Sequence, residues 1–141
     1  MATVDEALRY ELLTDADVTA LVGSRIHANH APQGTPMPYI VFHRVSTERV
    51  WATSGPIGLA HPRIQFDCVA SRYGQVRDLA NAVRRRLDNL NGDIGAPGSK
   101  VAVNATFIED ESDIYIDPTD ASDTGRHLVP MDLIVWHEET T

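Results

Sequence analysis

The run His61-Pro62-Arg63-Ile64-Gln65-Phe66-Asp67-Cys68-Val69-Ala70, followed at once by a helical stretch from Ser71 to about Asn89, decides how this chain is read. Ile64, Phe66 and Cys68 alternate with Arg63, Gln65 and Asp67, the period-two signature of a strand with one buried and one polar face. The period then changes. Tyr73, Val76, Ala80, Val83 and Leu87 fall on one side of a helix, widened by Leu79 and Leu90, with Ser71 as the predicted N-cap. Arg72, Arg77, Arg84, Arg85 and Arg86 lie mostly off that stripe. A half-buried strand joined tightly to an amphipathic helix predicts a sheet with helix packed on it.

Toward the N-terminus, Thr3 and Glu6 form a predicted capping box, and Val4, Ala7, Leu8 and Leu12 share one helical face. Thr14-Asp15 restarts a short second piece with Val18, Leu21 and Val22 inward, and Gly23 serves as its C-cap. Arg25 to Ala28 reads as a short strand. Residues 29 to 38 read as a loop, because three prolines interrupt any hydrogen-bonded ladder. Tyr39 to Arg49 reads as one long strand rich in β-branched and aromatic residues, and Thr53 to Ala60 as a Gly/Pro turn.

Toward the C-terminus, Asn91-Gly92 ends the helix and a loop runs to Ser99. Lys100 to Glu109 reads as a strand in which Val101, Val103, Ala105 and Phe107 share one parity. Residues 109 to 123 read as an acidic connection. Arg126 to Glu138 is the last strand, with His127, Val129, Met131, Leu133 and Val135 on one face. Pro130 lacks an N–H, which predicts an edge or a bulge there. The predicted order is α-β-β-β-α-β-β. It specifies an α+β fold of two layers, a mostly antiparallel sheet with helices on one face, with residues 1–141 as a single domain.

Composition narrows the function classes. The chain has 141 residues, 43% of them hydrophobic and 23% charged, enough to bury a core without disulfide or metal. Net charge is −8, which argues against binding nucleic acid by general attraction, while an acidic wall would keep passing DNA from sticking. A single cysteine, Cys68, precludes an intramolecular disulfide. No signal peptide and no apolar run of membrane-spanning length is visible, so we expect a soluble protein made in the cytoplasm, with no membrane partner.

The search for chemistry returns no convergent set, and the expectation is no enzyme, no cofactor and no metal. There is no Gly-x-Ser-x-Gly elbow and no phosphate loop. Cys68 falls on a core-facing position, where a thiol is inert packing. His27 and His30 form a His-x-x-His pair, but no cysteine pair or His-Glu-x-x-His accompanies them, and a surface histidine is the ordinary reading. The acidic segment carries seven acids and no base, yet lacks the central glycine and distal glutamate of an EF-hand.

Two features read first as solvated faces, and each also carries a sharper reading as an assembly surface. Ile114 and Tyr115 are apolar residues set among acids such as Asp117, an anchor with a charged rim. Arg77, Arg84 and Arg85 on the long helix offer the opposite charge, and a contact between the two patches on neighbouring copies would be heterologous and ring-closing. The connections at 28 to 38 (Pro32, Gln33, Gly34, Pro36) and 52 to 60 (Pro56) flank long strands, where binding loops sit.

The whole pattern resembles the phage tail-completion, or tail-terminator, family. The carrying residues are Asp17-Val18-Thr19-Ala20-Leu21-Val22-Gly23 leading to Arg25-Ile26, then Ala31-Pro32-Gln33-Gly34 and Pro38-Tyr39-Ile40-Val41-Phe42. Gly55-Pro56-Ile57-Gly58-Leu59, Arg63-Ile64-Gln65-Phe66-Asp67-Cys68, Leu79-Ala80, Val83-Arg84 and Met131-Asp132-Leu133-Ile134-Val135-Trp136 follow in order. The resemblance implies a structural virion protein that forms a homo-hexameric ring at the head-proximal end of the tail tube. The ring would stop tube polymerisation and contact the tail tube protein and the head–tail connector or stopper protein. DNA would pass through its lumen without specific binding. It implies no catalytic residues and a place in a phage, a prophage or a gene-transfer particle. Another small tail or neck adaptor, and a stand-alone protein-binding module, are the competing readings. Ring formation separates the module from the rest.

Overall fold

A computed structural model describes residues 3–119 and 125–139. Two helices open the chain, α1 (Val4–Leu13) and α2 (Ala16–Val22). Thr3 caps α1 by accepting from Glu6 N at 3.3 Å, and Val4, Ala7, Leu8 and Leu12 are its buried face. Asp15 caps α2 through Asp17 N and Val18 N. Gly23 closes α2 with φ of 60°, a backbone that glycine adopts without penalty.

The strands are β1 (Ile26–Ala28), β2 (Tyr39–Ser46), β3 (Arg49–Ala52), β4 (Gly55–Ala60) and β5 (Arg63–Ala70), then β6 (Gly92–Ile94), β7 (Val101–Glu111), β8 (Ile114–Ile116) and β9 (Arg126–Glu138). The long helix α3 (Tyr73–Leu87) stands between β5 and β6. Among the described residues only β1 and β2 pair in parallel; the other pairs are antiparallel, with Phe42 opposite Phe66 and Phe66 opposite Met131 across the centre. Strand β9 is the hub, bordered on one side by β5 and β4 and on the other by β7 and β8.

The helices cover one face. Ile40, Phe42, Ile64, Phe66, Cys68, Val129, Met131, Leu133 and Val135 project from the sheet onto the buried stripes of α1, α2 and α3. This α+β sandwich is the predicted class. The last strand matches its predicted span, and its inward parity continues to His137, which is buried.

Several local readings are corrected. The stretch from Tyr39 to Arg49 is two strands, broken at Thr47-Glu48, and residues 55 to 60 are strand rather than turn. Pro56 sits opposite Trp51 in a two-stranded ribbon, beyond the Leu59 and Ala60 contacts with β9, so its missing N–H costs no central ladder bond. Ser71 belongs to the turn leaving β5. Arg72 takes the N-cap position of α3 without a side-chain cap bond, and Tyr73 is exposed.

The loop expected up to Ser99 contains β6, three residues paired with β7. In β7 the register shifts between Val103 and Ala105, which turns Thr106 inward and Phe107 outward. The buried Thr106 hydroxyl donates to Leu87 O at 2.6 Å and accepts from Leu90 N at 2.7 Å, so it serves the C-terminus of α3.

The acidic connection is ordered through its first half: β7 runs to Glu111, and Ile114–Ile116 form β8 against β9. Asp120 and Asp123 of that segment lie outside the described residues. Pro130 is in the central strand, not at an edge. Its carbonyl accepts from Ser112 N at 3.3 Å, on the side where the ladder passes from β7 to β8, so the absent donor falls at that handover. Among the described residues no helix is long and apolar enough to cross a membrane.

Candidate assembly interface

Strands β2–β3 and β4–β5 are the two arms of one long hairpin, kinked where His61 N donates to Glu48 O at 2.8 Å. Below the kink the hairpin is part of the sheet. Above it, β4 pairs with β9 through Leu59 and Ala60, and no other strand borders the tip among the described residues. Trp51 and Ile57 on that tip are 67% and 54% exposed, which is unusual for side chains whose burial is so favourable.

The base of this arm is fastened. Arg49 pairs with Glu139, Glu139 N donates to Gly58 O at 2.9 Å, and the His61 ring stacks on Trp136 at 4.1 Å. The Arg49 hydrogen bond holds the Glu139 carboxyl below its usual range, and the same bond raises Arg49. A rigid stem with an apolar tip presents a contact surface at little entropic cost.

The proline-rich loop lies at the opposite end of β2. Pro32, Gln33, Gly34 and Pro36 are exposed, and Thr35 braces the turn by donating to Pro32 O at 2.5 Å. With Met37, Tyr39 and Arg126 the loop encloses a cavity of about 340 Å³.

The charged patches behave differently from one another. Arg77 is engaged within its own chain, reaching Glu111 at 2.5 Å and Asp113 at 3.0 Å, and Tyr73 adds a bond to Asp113 at 3.3 Å. Arg86 pairs with Glu11, whose other oxygen accepts from Gly95 N at 3.4 Å. Arg84 and Arg85 are exposed and have no ion pair among the described residues. Ile114, Tyr115 and Asp117 are exposed on and beside β8, with the Tyr115 ring 4.9 Å from His127. The structure thus brings Arg77 to the acidic segment of the same chain and leaves Arg84 and Arg85 apart from it.

Trp51 and Ile57 are the surface residues that sequence reading missed. The available signal was Thr53-Ser54-Gly55 between two apolar residues, a short turn that reads as a hairpin.

The reactive groups are placed as packing. Cys68 is fully buried, and that burial pushes its thiol well above the ordinary value, so it is a poor nucleophile. No group of three or more His, Cys, Asp or Glu among the described residues could hold a metal ion. A hollow of about 790 Å³ lies between Thr3, Arg44, Arg49, Lys100 and His137. There His137 Nδ1 lies 3.0 Å from Glu138 O, and Nε2 is buried with no partner among the described residues.

The model of the family described as tail completion protein gp17 matches residues 6–115. A chain in the solved structure of the virion of a native gene transfer agent particle is similar in fold, with a TM-score of 0.69 at 15% identity. The match covers 93% of this chain and 91% of that one. No curated protein sequence matches.

Proposed function

Because this chain belongs to the tail completion protein gp17 family, we propose that it closes the head-proximal end of a long phage-type tail tube as a hexameric ring and joins the tail to the head connector. As a member of that family it is a structural protein of the virion tail, assembled with other tail proteins. The finer reading rests on the hairpin arm. A stem clamped by Arg49 and Glu139 that exposes Trp51 and Ile57 is built to be covered by another protein.

The mechanism is geometric, without catalysis. Each copy, one domain spanning residues 1–141, contacts its neighbour laterally. One ring face offers the complement of a tail tube subunit and the other does not, so polymerisation stops there. The arm with Trp51, Pro56 and Ile57, and the loop with Pro32, Gln33, Gly34 and Pro36, are the contacts to the tube and to the connector or stopper protein. Arg84 and Arg85, unpaired among the described residues, are the cations offered to a neighbouring copy, and Ile114, Tyr115 and Asp117 are their counterpart. Arg77 contributes by holding that acidic surface in place. A net charge of −8 lines the path of DNA with repulsion, so DNA passes through the lumen without specific binding. A phage and a gene-transfer particle would use the same ring.

The test is light scattering of the protein alone and with short tail-tube assemblies, followed by negative-stain imaging. Rings, free or seated on tube ends, are expected, and replacing residues 51–57 by a Gly/Ser linker abolishes capping. A monomer that ignores the tube at every concentration overturns the reading.

A further inference from the structure

The arginines of α3 divide by position. Arg77, in its first half, is ion-paired with Glu111 and Asp113, and Arg86 with Glu11. Arg84 and Arg85, in its last turn, are exposed and carry no ion pair among the described residues. The helix dipole favours cations at that end but supplies no counter-charge for them. A guanidinium is weakly hydrated and suited to a planar or forked partner, so this turn is a cationic surface with no partner in its own chain.

The matching surface lies at the other end of the same helix. Tyr73, its first residue, stands edge-on to His127 at 5.8 Å, and the Tyr115 ring lies 4.9 Å from the same imidazole. The two tyrosines are 51% and 54% exposed, so each offers ring surface to an incoming group. Asp117, just past β8, is exposed and has no ion pair among the described residues. Exposed tyrosine rings beside an unpaired carboxylate suit a guanidinium, by stacking and by charge. Arg77 already uses this chemistry within the chain, since its partner Asp113 also accepts from the Tyr73 hydroxyl at 3.3 Å. From Tyr73 to Arg85 the helix rises about 18 Å, farther than an arginine side chain reaches, so one copy cannot join its own two ends.

We propose that copies follow one another head-to-tail along α3, with Arg84 and Arg85 of one copy seated on Tyr115 and Asp117 of the next, so that α3 runs along the circumference of the assembly. The arrangement rests on the ring reading above and adds to it the course of α3 and the stacking of a guanidinium on the Tyr115 ring. The occupant is a second copy because the two surfaces are opposite in charge, lie at opposite ends of one element and hold groups left unpaired in their own chain. Pairing a surface with its unlike is heterologous, and it closes a ring instead of stopping at a dimer. Arg72 at the tyrosine end and Asp88 at the arginine end are both exposed, and the same stacking brings these opposite charges toward each other.

Two variants of the full chain test this, free and with short tail-tube assemblies: Arg84→Glu with Arg85→Glu, and Asp117→Arg. All three positions are exposed and outside the ion pairs of the fold, so both variants are expected to melt with the wild type. By light scattering and negative-stain imaging, each alone is expected to lose the ring. An equimolar mixture is expected to regain it, because the reversed end of each copy complements the reversed end of the other and a six-membered ring accommodates the alternation. Recovery in the mixture also excludes misfolding as the cause of the loss. Rings from either variant alone overturn the proposal, and so does a mixture that stays dispersed; rings from the wild type then leave the ring reading standing. No ring from the wild type, free or on tubes, removes both. Arg84→Lys with Arg85→Lys supplies the second arm, since it keeps the charge and loses the planar stack. It is expected to raise the concentration at which half the rings form by about two- to fivefold. Unchanged assembly of that variant overturns the stacking contact.

Discussion

Arg49, the first residue of β3, is ion-paired with Glu139, just past the end of β9, across 90 positions of sequence. The pair fastens the stem of the hairpin arm to the hub strand. Its exposure makes it a device of orientation more than of stability.

The pH dependence of this fastening follows from Glu139. Its carboxyl is held below the ordinary value of 4.5 by Arg49, so the contribution is complete above that value and is lost as pH falls through the lowered one. Wild type and Glu139→Gln are compared by the near-ultraviolet signal of the Trp136–His61 stack. The two are expected to differ at neutral pH and to converge once the pH has fallen well below 4.5. A difference that persists in acid would show that the pair is not what orders the arm.

Thr106→Val removes both bonds of the buried hydroxyl at the end of α3 and leaves Leu90 N–H without its partner. Stranding a buried polar group costs about 1–3 kcal/mol, and urea unfolding should lose that much. Thr106→Ser, which keeps the hydroxyl, should recover most of it.

Native Cys68 should resist a small maleimide over hours and react promptly once the chain is unfolded in denaturant, as read by mass spectrometry. Full burial withholds both access and thiolate. Rapid labelling of the folded protein would contradict the packing of β5.

The space over Gly125 is filled by the Tyr115 ring. A β-carbon there would lie 1.9 Å from the Tyr115 hydroxyl, so Gly125→Ala must push that ring off His127. Contacting residues couple by about 0.5–3 kcal/mol. Because the ring is exposed and can swing aside, the substitution is expected to cost the wild-type chain no more than the low end of that range, and nothing in a Tyr115→Ala background, in a double-mutant cycle by thermal melting.

Most of the framework was readable because it obeys one period at a time. Ile64, Phe66 and Cys68 keep strict alternation, Val76, Ala80, Val83 and Leu87 keep helical spacing, and each set turns out to be fully buried. Where two rules met in a few residues, the reading slipped. The bulge after Val103 moves the buried position from Ala105 to Thr106, and period counting alone cannot see an inserted residue. Strands β6 and β8 have three residues each, and β8 has no buried face to give it a pattern.

The surface was less legible for a different reason. Arg77 and Arg84 look alike in sequence, separated by two helical turns. Only the fold reveals that the end of β7 and the turn after it carry Glu111 and Asp113 up to the first and leave the second in solvent. The arm was hidden because Pro56 reads as a turn residue until its place outside the main ladder is known.

Pro130 gives the sheet a seam. The hub strand offers no donor at that point, and beyond it β8 is attached through three register pairs, whereas β5 runs alongside β9 through eight. The end of the sheet that carries Ile114, Tyr115 and Ile116 can therefore loosen as a flap without unzipping the core beneath it, and its amide protons should exchange with solvent well before those of β5. An edge that yields locally can adjust its fit to a neighbour while the sandwich that carries it stays rigid.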